Sequence, residues 1–177
     1  MMGNATFEQS HASALRLVHV LADAGLTVAT CESLTGGLVG ATITSIPGAS
    51  AVFRGGLITY ASDLKAALAG VDAQWIAEHG VVNDTTARQM ATGCAHTCQA
   101  DLGLACTGVA GPDRQDGQRP GTVHIAVAHD AQVFTRQLSL SGERKAVRLG
   151  TVSALLEFTC HVIREKIKDI PRFSGMN

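Results

Sequence analysis

Apolar positions along this chain repeat with two different periods, and the switches between them divide it into elements. Phe7, His11, Ala14, Leu15, Val18, Leu21 and Ala22 recur at helical spacing; Thr6 with Gln9 suits a capping box, and Gly25 supplies a stop. Residues 27–31 alternate β-branched and small side chains as a short strand. The polar glycine turn 32–37 then leads into a helix through Ile46. Pro47-Gly48 marks a turn, the apolar, β-branched run 53–60 reads as a buried strand, and Ser62 is placed to cap a helix beginning at Asp63. Gly70 ends that helix. Asp72 can cap a short one through His79, and Asn83 a longer one to about Gln99. Residues 102–107 form the next strand. Residues 122–129 and 132–140 read as two more, and the short polar gap between them predicts an antiparallel hairpin. From Ser141-Gly142 a final helix carries Val147, Val152, Leu155, Leu156, Thr159, Ile163 and Ile167 along one side and ends at Pro171.

The order αβαβααβββα contains no repeat and no linker. It predicts one α/β domain over residues 1–177: three layers, α/β/α, around a mixed sheet with a parallel portion and a C-terminal antiparallel hairpin. In such sheets ligands bind beyond the carboxyl ends of the parallel strands. That rule draws the turns 32–37, 107–111 and 141–144 to one rim. Gly36, Gly37 and Gly142 stand at predicted helix N-termini, where free N–H groups favour an anion, and Arg144 adds a planar cation suited to phosphate. The fourteen-residue loop 108–121, rich in turn formers and charge, is of a kind that often carries function.

Composition narrows the class. Charged residues make up 16% of the 177, against about 25% in an average domain, while hydrophobic types reach 46%. A chain so poor in charge is expected to bury apolar surface between copies, as a homo-oligomer. Net charge is −1 and no basic block occurs, so a nucleic-acid partner is excluded. Five cysteines in apolar contexts fit reduced thiols, and no apolar run reads as a signal or membrane span, so a cytoplasmic protein without a membrane partner is expected.

Chemistry concentrates between Pro47 and Lys65, a stretch that holds Ser50, Tyr60 and Lys65. Serine attacks only when a neighbour takes its proton, and a lysine made neutral by burial can do so, which makes a Ser–Lys pair the candidate mechanism. Ser33 is the alternative nucleophile. Cys31, at the end of a strand, has no sequence-adjacent histidine to activate it. Cys94 and Cys98 share a helix face but His96 points away, and His124 and His129 fall on opposite faces of a strand, so no metal site is expected. Neither a Gly-x-Gly-x-x-Gly turn nor a P-loop occurs, which disfavours NAD and ATP; no cofactor is expected.

The blocks Cys31-Glu32-Ser33-Leu34-Thr35-Gly36-Gly37, Pro47-Gly48-Ala49-Ser50-Ala51-Val52-Phe53, Gly56-Leu57-Ile58-Thr59-Tyr60 with Lys65, Glu78-His79-Gly80-Val81-Val82 and Thr107-Gly108-Val109-Ala110-Gly111-Pro112-Asp113 resemble, in order and over nearly the whole chain, the CinA C-terminal domain family. Its enzymatic members are nicotinamide-nucleotide amidases. The resemblance implies deamidation of nicotinamide mononucleotide, a small-molecule nucleotide substrate, to nicotinic acid mononucleotide and ammonia. It puts the nucleophile on Ser50, the base on Lys65 and an assisting hydroxyl on Tyr60. Ser33, Thr35, Gly36, Gly37, Thr107, Gly108 and Arg144 fall on substrate-contacting positions. The family's larger members carry an additional N-terminal pyrophosphatase domain, which this chain is expected to lack. A second function class remains: a nucleotide-binding module or partner subunit that keeps the pocket without turnover.

Overall fold

Glycines and side-chain caps cut the chain into elements close to where the pattern of residues puts them. The computed structural model describes residues 7–167. Its elements are α1 (Phe7–Ala24), β1 (Val28–Glu32), α2 (Leu38–Thr44), a single 3₁₀ turn (Ala49–Ala51), β2 (Phe53–Ile58), α3 (Ser62–Ala69), α4 (Ala73–His79), α5 (Asp84–Cys98), β3 (Leu102–Gly108), β4 (Thr122–His129), β5 (Gln132–Ser139) and α6 (Arg144–Lys166). Asp72 accepts from the amides of Gln74 and Trp75 to start α4, and Asn83 accepts from Thr86 N to start α5. Ser62, by contrast, is the first residue of α3 rather than its cap; Ala61 holds that position and makes no side-chain bond. The Thr6 capping box and the stop at Pro171 lie outside the described residues.

The sheet runs β2-β1-β3-β4-β5, with β1 parallel to both neighbours and β3-β4-β5 antiparallel. It is the expected mixed sheet. β2 forms one edge, so its alternate residues are exposed, and the buried strand anticipated from its apolar run is corrected to an edge strand.

Two different cores cover the faces. On one, Leu102, Leu104, Cys106, Val123, Ile125 and Val127 meet the large aliphatic side chains of α1, α2 and α6. On the other, Ala29, Ala105, Ala126 and Ala128 meet Ala87, Met90, Ala91 and Cys94 of α5. Small residues on that face let α5 lie close to the sheet, where a Cβ on Gly103 would run into the carbonyl of Ala91. Of the described helices, α6 alone is long and apolar enough to cross a membrane, and 61% of its most apolar window is buried within the fold, as a core helix requires.

Candidate active site

The carboxyl ends of β1 and β3 open a cleft of about 480 Å³, lined by Ser33, Leu34, Tyr60, the loop from Gly108 to Gln115, and Arg144. That volume is within the usual range for small-molecule sites. The three turns predicted to share a rim all contribute to it.

Lys65 sits in the second half of the strand-to-helix return. β2 ends at Ile58, Thr59 N donates to Glu32 O at 2.9 Å, and α3 then folds back so that the Lys65 side chain runs beneath its own entry turn. Lys65 is 0% exposed. Its Nζ donates to the carbonyl oxygens of Thr59 (2.7 Å) and Tyr60 (3.5 Å), and no carboxylate lies within ion-pair distance among the described residues. Burial of an amine that lacks a counter-ion pulls it below the usual lysine range. A Cys31 thiolate would oppose that shift, but burial raises the Cys31 thiol to about 11, so it is neutral around pH 7 and offers no such attraction. The same protonation leaves Cys31, which shares a weak bond with the Thr59 hydroxyl at 3.5 Å, unsuited to act as a nucleophile.

Arg144 begins α6 and reaches across the cleft mouth. It donates through Nη1 to Gly111 O and through Nη2 to the Tyr60 hydroxyl, each at 2.8 Å, tying together the loop after β3 and the end of β2. Arg114, whose Nη1 donates to Gly117 O at 3.3 Å, also lines the cleft, so two cationic residues border it.

The glycine turn after β1 departs from expectation. Buried Glu32 turns back under it: Oε2 accepts from Gly37 N (2.9 Å) and Val39 N (3.0 Å), and Oε1 from Gly40 N (2.8 Å). The anion at the N-terminus of α2 is therefore the protein's own carboxylate. A phosphate site on Gly36 and Gly37 is corrected accordingly, because Gly36 N donates to Ser33 O at 3.0 Å, Gly37 N is taken by Glu32, and a second anion would face Glu32. Thr35 is fully buried with its hydroxyl against Cys106 Sγ at 3.1 Å, and Thr107 is fully buried with its hydroxyl donating to Val81 O at 2.8 Å. Both threonines shape the cleft floor from behind. Gly108 does line the cleft, where a Cβ would strike the β4 backbone.

The two candidate serines part company. Ser33 follows β1 directly, its amide donates to Cys106 O at 3.1 Å, and it lines the cleft. Ser50 is exposed on the 3₁₀ turn before β2, where Val52 O accepts from Val28 N at the opening of β1. Thr59, on which Lys65 rests, pairs with Glu32 at the far end of the same two strands. The seven steps of extended chain from Val52 to Thr59 span roughly 23 Å. One chain therefore does not bring its own Ser50 to its own Lys65.

Three positioning residues lacked a readable signal in the sequence. Asp116 Oδ2 accepts from the amides of Val81 (2.6 Å) and Val82 (3.2 Å), pinning the long loop to the start of α5. Arg148 donates to the carbonyls of Leu34 and Thr35, fixing the turn that carries Ser33. Glu32 was visible only as part of a polar turn; a carboxylate just before a Gly-Gly helix start is the cue that an internal cap was available. No group of three or more His, Cys, Asp or Glu side chains converges as a metal site among the described residues.

The fold is an open, mixed α/β sheet with a polar cleft at the carboxyl ends of the adjacent parallel strands β1 and β3. The family model for the CinA C-terminal domain matches residues 10–163, and the chain belongs to that family. It is 40% identical over 152 residues to a CinA-like protein of Frankia casuarinae, covering 86% of this chain and 34% of that one. With a CinA-like protein of Geobacter sulfurreducens it shares 44% identity over 135 residues, 76% of this chain and 33% of the relative. The chain thus spans about a third of the length of these curated relatives. Among solved structures, the competence/damage inducible protein CihA from Agrobacterium tumefaciens superposes with a TM-score of 0.83 at 33% identity, covering 89% of this chain and 96% of that one. The competence-damaged protein (CinA) superfamily protein from Enterobacter cloacae gives 0.83 at 27% identity, covering 87% and 92%.

Proposed function

We propose that this chain is an amidohydrolase that converts nicotinamide mononucleotide to nicotinic acid mononucleotide and ammonia, with Lys65 as the base. The observation that carries the reading is Lys65 itself: a fully buried amine without a carboxylate partner, beside a cleft lined by two guanidinium groups. A binding module has no need of a buried amine with a lowered pKa, whereas an amidase does, because it must take a proton from a weak nucleophile. In the proposed reaction neutral Lys65 accepts the proton of a serine hydroxyl as its oxygen attacks the carboxamide carbon. The tetrahedral intermediate collapses, breaking the C–N bond, and the lysine proton leaves with ammonia. Water then attacks the acyl ester, Lys65 takes a proton from it, and the serine recovers its own as the acid departs. Arg144 and Arg114 suit the substrate's phosphate, and the Tyr60 hydroxyl orients Arg144. Within one chain the cleft offers Ser33 as the hydroxyl; Ser50 can take part only if another copy supplies it.

The purified protein should release ammonia from nicotinamide mononucleotide far faster than from nicotinamide riboside or free nicotinamide. Tight binding of the nucleotide without ammonia release would instead make the chain a binding module.

A further inference from the structure

The amine of Lys65 takes its place from one neighbouring residue. Thr59, fully buried just past the end of β2, accepts from Nζ at 2.7 Å through its carbonyl, while the Tyr60 carbonyl lies 3.5 Å away. Thr59 is held in turn at two points on the end of β1. Its amide donates to Glu32 O at 2.9 Å, and its hydroxyl meets Cys31 Sγ at 3.5 Å, the one hydrogen-bond partner that hydroxyl has among the described residues. Ser33 comes next in the chain and lines the cleft. Three consecutive residues, Cys31, Glu32 and Ser33, thus set the amine and a cleft hydroxyl in one frame.

The chemistry at position 31 is the second observation. A thiol is a weak donor and a weak acceptor, so it is a modest partner for a buried hydroxyl. A carboxylate would bond that hydroxyl more strongly, but an anion within a few ångströms of an amine favours its protonated form. Cys31 is fully buried in the small-residue core with Ala29, Ala69 and Ala105, and burial raises its thiol to about 11, which leaves it uncharged near pH 7. The other titratable groups that act on the amine are Asp116 of the long loop, Cys106 of β3 and Asp63 of α3. Burial pushes Cys106 up to about 12, with its Sγ against the Thr35 hydroxyl, and neither carboxylate comes within ion-pair distance of Lys65. The side chain that anchors Thr59 is therefore one that leaves the amine without a counter-ion.

We propose that Cys31 is a positioning residue for Lys65: its thiol fixes the Thr59 side chain, and so fixes the carbonyl that holds the amine, without bringing a charge to the site. β2 ends at Ile58, and the Thr59 carbonyl turns toward Lys65 instead of into the sheet, so the side-chain contact steadies a peptide that the strand no longer does. Without Sγ the buried hydroxyl loses its partner, the Thr59 side chain is released and the carbonyl is free to turn. A base displaced by about 1 Å loses on the order of 100-fold in rate, so even a partial shift is read in turnover. Cys31 itself takes no proton in the reaction. This deepens the amidase reading and rests on it for the effect on turnover, though not for the contact among Cys31, Thr59 and Lys65.

Ammonia release from nicotinamide mononucleotide by the full chain tests the proposal. Cys31→Ala and Thr59→Val break the same contact from its two sides and leave the backbone carbonyl of residue 59 in the chain. Each should lower kcat about tenfold with KM little changed, and the double variant should be no slower than the slower single one, because one contact is lost only once. An unchanged kcat in Cys31→Ala, or losses that multiply in the double variant, overturns the proposal. Cys31→Asp carries the pH test: a carboxylate placed there should move the rise of rate with pH upward by about one unit or more. A rise that stays in place shows that position 31 does not act on the amine, and overturns the proposal too. Should that variant fail to fold, the first three still decide. A wild type that releases no ammonia defeats the amidase reading, and the Lys65 Cε resonance of protein grown on isotope-labelled lysine then takes the place of turnover. Cys31→Ala and Thr59→Val should each shift it, and the double variant no further than the larger single shift; a resonance that Cys31→Ala leaves unmoved overturns the contact.

Discussion

Lys65 Nζ donates to the carbonyl oxygen of Thr59 at 2.7 Å, and that bond joins the end of the edge strand to the first turn of the helix that follows it. A carbonyl dipole satisfies an N–H donor but attracts an ammonium less than a carboxylate would, so it offsets little of the desolvation that burial imposes. Burial then lowers the pKa of the amine from the usual lysine value, which is the direction a lysine base requires.

The same amine ties folding to pH. With its folded pKa below the ordinary 10.5, the folded chain binds fewer protons than the unfolded one between the two values. Stability therefore rises with pH across that window and falls as pH drops through the folded value. Urea denaturation should show the wild type gaining on Lys65→Met as pH is raised from 7 to 10. A difference between the two that is flat with pH would show that burial leaves the amine unshifted.

Glu32 holds the start of α2 with three backbone donors. Glu32→Gln keeps the size but places a donor amide against N–H groups, and should cost about 2–3 kcal/mol of folding free energy, read by chemical denaturation. A loss below about 0.5 kcal/mol, the scale of an ordinary surface substitution, would contradict a capping role.

Asp116 is not itself among the residues lining the cleft but fastens the loop that forms its wall. Asp116→Ala should raise KM for nicotinamide mononucleotide severalfold with a smaller change in kcat, because positioning for binding is lost before the chemistry is. Equal falls in kcat and kcat/KM would instead put Asp116 in the reaction.

Arg144 is assigned to the substrate's phosphate. Arg144→Ala should cost about 10- to 100-fold in kcat/KM for the mononucleotide, in keeping with loss of a charge-assisted contact, and little for nicotinamide riboside. An unchanged preference between the two would place the anion elsewhere in the cleft.

Much of the fold was legible in the chain. Asp72, Asn83, Gly25 and Gly70 act where local chemistry places them, and the β4-β5 hairpin follows from alternation plus a short gap. What failed depended on neighbours distant in sequence. The apolar run 53–58 reads the same at a sheet's centre or edge, and only pairing order reveals which. Gly36-Gly37 reads as an anion site until the side chain of Glu32 is seen to fill it. Ser50 and Lys65 are fifteen positions apart in sequence, yet the rigid strand between them holds them at opposite ends, a separation that composition and motif cannot express.

The central claim is that Lys65 acts as a neutral base, and the pH dependence of ammonia release from nicotinamide mononucleotide by wild type and Lys65→Arg tests it most directly. The wild-type rate should rise with pH through a pKa below 10.5 and then level, while Lys65→Arg, which keeps the charge but yields no free base, should lose activity by orders of magnitude at every pH. A Lys65→Arg protein that keeps most of its turnover would show that the residue serves as a cation, and would contradict the account.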